Sequence, residues 1–128
     1  METKLMSYKI LIVDDDPADL DSTRLILSED LDFEITTTTK PDDALAMIKA
    51  NPHRFAVVLA DFQMPKKNGL ELAKEMLAIN PNLVTAILSM DRSREVLKKC
   101  IDSGIKRFIE KNHDDEEALR SQIRPPLS

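Results

Sequence analysis

The chain alternates short apolar runs with longer segments whose apolar residues recur every three or four positions. Tyr8-Lys9-Ile10-Leu11-Ile12-Val13 is rich in β-branched residues and ends abruptly in acid, the pattern of a buried parallel strand. Asp16-Pro17 reads as an N-cap followed by proline in the first helical turn, and Leu20, Ile26 and Leu27 fall on one side of the helix that follows. Phe33-Glu34-Ile35-Thr36-Thr37-Thr38 predicts a second strand. Pro41 opens a second helix with Ala44, Leu45 and Ile48 at helical spacing, and Asn51-Pro52 stops it. Phe55 to Ala60 is apolar at every position, so both faces of this strand are covered and it belongs in the middle of a sheet.

A loop from Asp61 to Asn68 leads to Gly69 and a helix carrying Leu70, Ala73, Met76 and Leu77. After a Pro81-Asn82 turn, Leu83 to Leu88 predicts the fourth strand. Val96, Leu97, Cys100 and Ile101 give the fourth helix an apolar stripe, and Gly104 stands where a helix C-terminus favours glycine. Ile105 to Ile109 predicts a fifth strand, and Glu116 to Arg124 a short last helix ended by Pro125-Pro126. Five strand–helix repeats with no break in composition predict an α/β domain. Its sheet is parallel, with helices on both faces and right-handed crossovers. Ligands of such sheets bind at the carboxyl ends of the strands.

At 128 residues the chain has the size of one domain, and 42% hydrophobic with 32% charged residues is an ordinary globular balance. A net charge of −5 argues against direct nucleic-acid contact, which needs a basic face. The longest apolar run, Phe55 to Ala60, is far short of the roughly 20 residues that cross a bilayer, and the acidic N-terminal region lacks the pattern of a secretory signal. A single cysteine, Cys100, fits a reducing cytoplasm and, from its helical spacing, a small core residue.

The residues just past the predicted strands are Asp14-Asp15-Asp16, Asp61, Ser89 and Lys111. Each has an ordinary explanation alone: Asp16 is best read as a helix cap, Asp61 as a turn residue, Ser89 as a cap and Lys111 as a solvated lysine. Their meeting at one sheet edge favours chemistry instead. Clustered carboxylates need a counter-charge, and a hard divalent cation such as Mg²⁺ takes oxygen ligands of this kind. A carboxylate beside that ion can attack phosphorus and form an acyl phosphate. Ser89 and Lys111 can then hold the new phosphoryl oxygens.

The segments ILIVDDDP at 10–17, VVLADFQMPKKNGLEL at 57–72, AILS at 86–89 and FIEK at 108–111 resemble the receiver domains of bacterial response regulators. The likeness spans nearly the whole chain and implies a flavodoxin-like sheet of strand order 2-1-3-4-5. It implies a receiver domain over residues 8–124, an N-terminal extension over 1–7, and a tail or the start of a linker over 125–128. It further implies that Asp61 is the phosphoacceptor, that Asp14, Asp15, Asp61 and the Gln63 carbonyl hold Mg²⁺, and that Ser89 and Lys111 bind the phosphoryl group. Ser89 and Phe108 would form the switch that repacks the face made by the fourth helix, fifth strand and fifth helix. The donor would be a sensor histidine kinase or histidine phosphotransfer domain, and the reader an output domain, a downstream protein or a second copy. Such a domain is an enzyme only in phosphorylating itself from a donor and losing that group again.

Two positions depart from the family pattern. Asn112 follows Lys111 where proline is usual after a cis bond. A non-proline cis bond costs about 3–4 kcal/mol, so the expectation is a trans bond and a Lys111 aimed differently. Met90 follows Ser89 where a small residue is usual, narrowing the entrance to the site. Gln63 and Asp91 occupy places where relatives tune hydrolysis. Met90 and Asn112 also define the alternative reading, a receiver-like interaction module independent of phosphorylation. Other classes fare worse. Only two glycines, Gly69 and Gly104, leave no G-x-G-x-x-G turn or P-loop; Gln63 replaces the second acid of a D-x-D phosphatase; and the isolated His53 and His113 do not make a zinc site.

Overall fold

The computed structural model describes residues 7–90 and 93–123. Elements alternate without exception: β1 (Tyr8–Val13), α1 (Pro17–Ser28), β2 (Phe33–Thr38), α2 (Pro41–Ala50), β3 (Val57–Asp61), α3 (Gly69–Ile79), β4 (Val84–Ser89), α4 (Arg94–Asp102), β5 (Arg107–Glu110) and α5 (Glu116–Ile123). The strands form one parallel sheet in the order β2-β1-β3-β4-β5, the flavodoxin-like topology expected.

The two-residue period of the strands divides the core. Leu11 and Val13 of β1 point into one layer with Ile48 of α2, Leu72 and Met76 of α3, and Cys100 of α4. Ile10 and Ile12 point into the other with Leu20 and Leu27 of α1 and Leu119 and Ile123 of α5. Central β3 is buried at all five positions, as its unbroken apolar run requires.

Start and stop signals act locally. Asp16 caps α1, its carboxylate accepting from the Ala18 amide at 2.9 Å, with Pro17 in the first turn. Asn68 and Glu71 form a reciprocal capping box at the start of α3. Gly104 takes φ +85 just beyond α4, a conformation that L side chains avoid.

Three predicted strands are displaced. β3 starts at Val57 rather than Phe55 and takes in Asp61; β4 runs from Val84 through Ser89; β5 spans Arg107–Glu110 rather than Ile105–Ile109. Hydropathy breaks a strand at its first polar residue, but the ladder continues: Asp61 pairs with Leu88 and Ser89 with Glu110. Ile105 instead donates its amide to the Cys100 carbonyl at 3.1 Å, closing the end of α4.

The apolar stripe of α4 is also corrected. Cys100 is the helix's buried residue, whereas Leu97 is 36% and Ile101 63% exposed. Successive helical residues are about 100° apart, so the Val96–Cys100 row and the Leu97–Ile101 row cannot both face the sheet. Asp91, Arg124, residues 1–6 and the tail at 125–128 lie outside the described residues.

Candidate functional site

Parallel register brings the acids together. Val13 pairs with Ala60, so Asp14, one residue beyond β1, lies level with Asp61 at the end of β3. Leu88 pairs with Ile109, so the chain beyond Ser89 and Glu110 delivers Lys111 to the same edge. The Lys111 amide donates to the Ser89 carbonyl at 2.9 Å, extending the ladder by one bond.

Asp14, Asp15 and Asp61 each offer a carboxylate oxygen, and these oxygens all lie within 4.8 Å of one another. Asp14 and Asp61 are buried and Asp15 is half-buried. The Asp14 Oδ1 accepts from the Asp16 amide at 3.0 Å, which fixes the turn into α1. Lys111 Nζ lies 3.2 Å from Asp14 Oδ2, 3.3 Å from Asp61 Oδ2 and 2.8 Å from Asp19 Oδ2. Asp15, Asp16, Asp19, Asp61, Gln63, Met90 and Lys111 line an open cleft of about 260 Å³.

Burial, reinforced by the charge of Asp14, raises the Asp61 carboxyl to about 6; Lys111 and the Gln63 backbone amide pull the other way without prevailing. Burial lowers the Lys111 ammonium, but the bond to Asp19 and the charges of Asp61 and Asp14 outweigh it and hold it above the usual lysine value. Lys111 is therefore a fixed cation, and Asp61 a carboxylate whose charge the fold under-compensates. Hard oxygen donors this close fit a divalent cation of the Mg²⁺ type.

The structure thus gathers Asp14, Asp15, Asp61 and Lys111, with Gln63 on the cleft wall. The bond after Lys111 is trans, as expected, and the ammonium meets Asp19 as well as the buried acids. Ser89 is buried at the end of β4, 1% exposed, and the cap of α4 is Ser93, whose hydroxyl accepts from the Val96 amide at 3.3 Å. Phe108, opposite Ile87 in the sheet, is half-buried against the α2–α3–α4 layer. Met90 is 77% exposed on the rim of the cleft. Asp16 serves as a cap, as read.

Two residues escaped sequence reasoning. Asp19, an acid in the first turn of α1, is the third partner of Lys111. His113 looked isolated and shares a 2.9 Å hydrogen bond with the buried Thr23. Neither contact has a local signal, since each joins residues about 90 positions apart.

A profile of the family described as "Response regulator receiver domain" matches residues 10–124. The chain belongs to this family. The receiver domain is 30% identical over 99 residues to the two-component response regulator ORR21 of rice (indica), covering 77% of this chain and 14% of that protein. It is 29% identical over 131 residues to a protein-glutamate methylesterase/protein-glutamine glutaminase of Methylobacillus flagellatus, covering 93% of this chain and 36% of that one. It therefore spans a minor part of these relatives. Among solved structures, a CheY-like receiver domain from Methanospirillum hungatei superposes with a TM-score of 0.73 at 29% identity, covering 91% of this chain and 96% of that one. The NarL receiver domain of Mycobacterium tuberculosis superposes with a TM-score of 0.81 at 19% identity, covering 91% and 92%, which speaks to the fold alone. Receiver domains serve two-component signalling, working with histidine kinases and output domains and generally binding Mg²⁺ at an acidic pocket. Among the described residues no helix is long and apolar enough to cross a membrane.

Proposed function

We propose that this receiver accepts a phosphoryl group onto Asp61 from a phosphohistidine, supplied by a sensor kinase or phosphotransfer domain, in a Mg²⁺-dependent reaction. The observation that carries the reading is the junction of Asp14, Asp15 and Asp61, with oxygens within 4.8 Å, and Lys111 Nζ at 3.3 Å from Asp61. Asp14, Asp15, Asp61 and the Gln63 carbonyl hold Mg²⁺, which when bound offsets the carboxylate charge and that of the incoming phosphoryl oxygens. An Asp61 oxygen attacks phosphorus, the bond from phosphorus to the donor imidazole breaks, and an acyl phosphate forms. Lys111 pairs with one phosphoryl oxygen and the Ser89 hydroxyl donates to another. Attack by water on phosphorus later returns Asp61 and inorganic phosphate.

The signal follows from differential contact. A phosphoryl group adds a charge of about −1.5 to −2 and favours the conformer with Ser89 drawn toward it. Phe108 then moves into the space released, and the α4-β5-α5 face repacks for an output domain, a partner protein or a second copy. The unit is residues 8–124, acting in the cytoplasm without contacting nucleic acid itself.

Intact mass after incubation with Mg²⁺ and acetyl phosphate tests the reading. The expected result is a gain of one phosphoryl mass that requires Mg²⁺ and is absent in Asp61→Asn. A folded wild-type protein that gains nothing, also from a phosphohistidine donor, overturns it and leaves the phosphorylation-independent module.

A further inference from the structure

The contacts made by Lys111 are uneven. Its nearest partner is Asp19 at 2.8 Å, a carboxylate from the first turn of α1, and not either of the buried acids at 3.2 and 3.3 Å. The Asp19 side chain is 40% exposed where that of Lys111 is 10% exposed, so the ammonium is drawn from the buried pair toward the cleft mouth. One turn further along α1, Thr23 bonds to His113 at 2.9 Å. Residues four apart share a helix face, so one face of α1 ties down the loop that carries Lys111 at two successive turns.

An ammonium has three N–H donors and no more. Here three carboxylates engage it, and Asp19 lies outside the trio that gathers within 4.8 Å. A phosphoryl group on Asp61 brings new acceptor oxygens, and one of the three present partners must give way to them. We infer that Asp19 is a positioning residue for this site. It holds the Lys111 ammonium against the phosphoryl group and so weakens the hold of the pocket on that group. The inference rests on Asp61 being the phosphoacceptor.

Binding of beryllofluoride with Mg²⁺, a stand-in for the phosphoryl group, tests it on the full chain by calorimetry or by amide chemical shifts. Asp19→Asn is expected to bind about three- to fivefold more tightly than wild type, the effect of releasing a partly exposed ion pair. Asp19→Glu, which keeps the charge, stays within about twofold of wild type. Asp21→Asn removes the same charge from α1 at a residue that pairs with Arg24 at 2.6 Å, and leaves binding unchanged. If Asp19 acts through Lys111, the gain disappears when Asp19→Asn is made in a Lys111→Ala background. An unchanged or weaker affinity for Asp19→Asn overturns the inference, as does an equal gain in both backgrounds. A wild type that binds no beryllofluoride and gains no phosphoryl mass overturns the phosphoacceptor reading itself, and this one with it. Normal wild-type binding with an inert Asp19→Asn removes only the role of Asp19.

Discussion

Asp61→Asn should stabilise the fold, and the gain should depend on pH. Asp61 sits at about 6 in the folded protein against an ordinary 3.8, chiefly through burial and the neighbouring Asp14. Its pKa is thus raised by folding, so between about pH 4 and 6 the native state holds a proton that the unfolded chain has released, and stability falls as pH rises through that window. Below about pH 4 both states are protonated and nothing is lost; above about pH 6 the full cost, about 3 kcal/mol, is present. Asparagine of the same shape cannot ionise and escapes that cost, from which the attraction of Lys111 has already been subtracted. The gain at pH 7 is therefore about 2–3 kcal/mol. Urea unfolding followed by circular dichroism in EDTA, from pH 4 to 7.5, gives the difference directly. The two proteins should coincide near pH 4 and diverge up to about pH 6. A variant no more stable than wild type at pH 7, or a gain constant across the range, would refute the account of Asp61 as an under-compensated buried carboxylate.

Four further outcomes follow from particular contacts. Excess Mg²⁺ should raise the wild-type unfolding free energy by about 2.7 kcal/mol at a hundred times its dissociation constant, with EDTA reversing the gain and Asp14→Asn shrinking it in the same urea titration. Gly69→Ala should cost about 1–3 kcal/mol, because a Cβ there overlaps the backbone carbonyl of Asp61; the denaturation midpoint should fall along with phosphoryl uptake by mass. Thr85→Val should add about 1 kcal/mol, since the buried Thr85 hydroxyl has no hydrogen-bond partner; a thermal midpoint at or below that of wild type would contradict this. Ile101→Lys should stay within about 0.5 kcal/mol of wild type, its side chain being 63% exposed, and urea titration beside a Leu72→Ala variant losing about 2–5 kcal/mol gives the contrast.

The sheet was legible because β3 is apolar at every position and each helix is opened or closed by its own local punctuation, such as Asp16-Pro17, Pro41 and Gly104. The site was legible because a parallel sheet converts three scattered strand ends into one edge, making Asp14, Asp15, Asp61 and Lys111 neighbours by topology alone. Strand ends read less well, as at Asp61 and Ser89, where hydropathy stops and backbone hydrogen bonding goes on. Leu97 and Ile101 carried a helical signal without burial, because periodicity reports that a face exists and not how much of it meets a neighbour. The trans bond after Lys111 was legible from Asn112, but its three carboxylate partners were not, because a rule about that bond says nothing about what attracts the ammonium. Asp19 and His113 were silent, since what they touch depends on how α1 lies against the β5–α5 loop.

The thin anchoring of α4 has a consequence for hydrogen exchange. A helix whose buried side chain is Cys100 gives up little apolar contact when it unravels, so its local opening costs far less than global unfolding. Its amides should exchange well ahead of those of β1 and β3, and by a route insensitive to low urea, the mark of a fluctuation that exposes little new surface. The chain thus couples a fully buried central strand, β3, which carries Asp61, with a helix that opens at little cost.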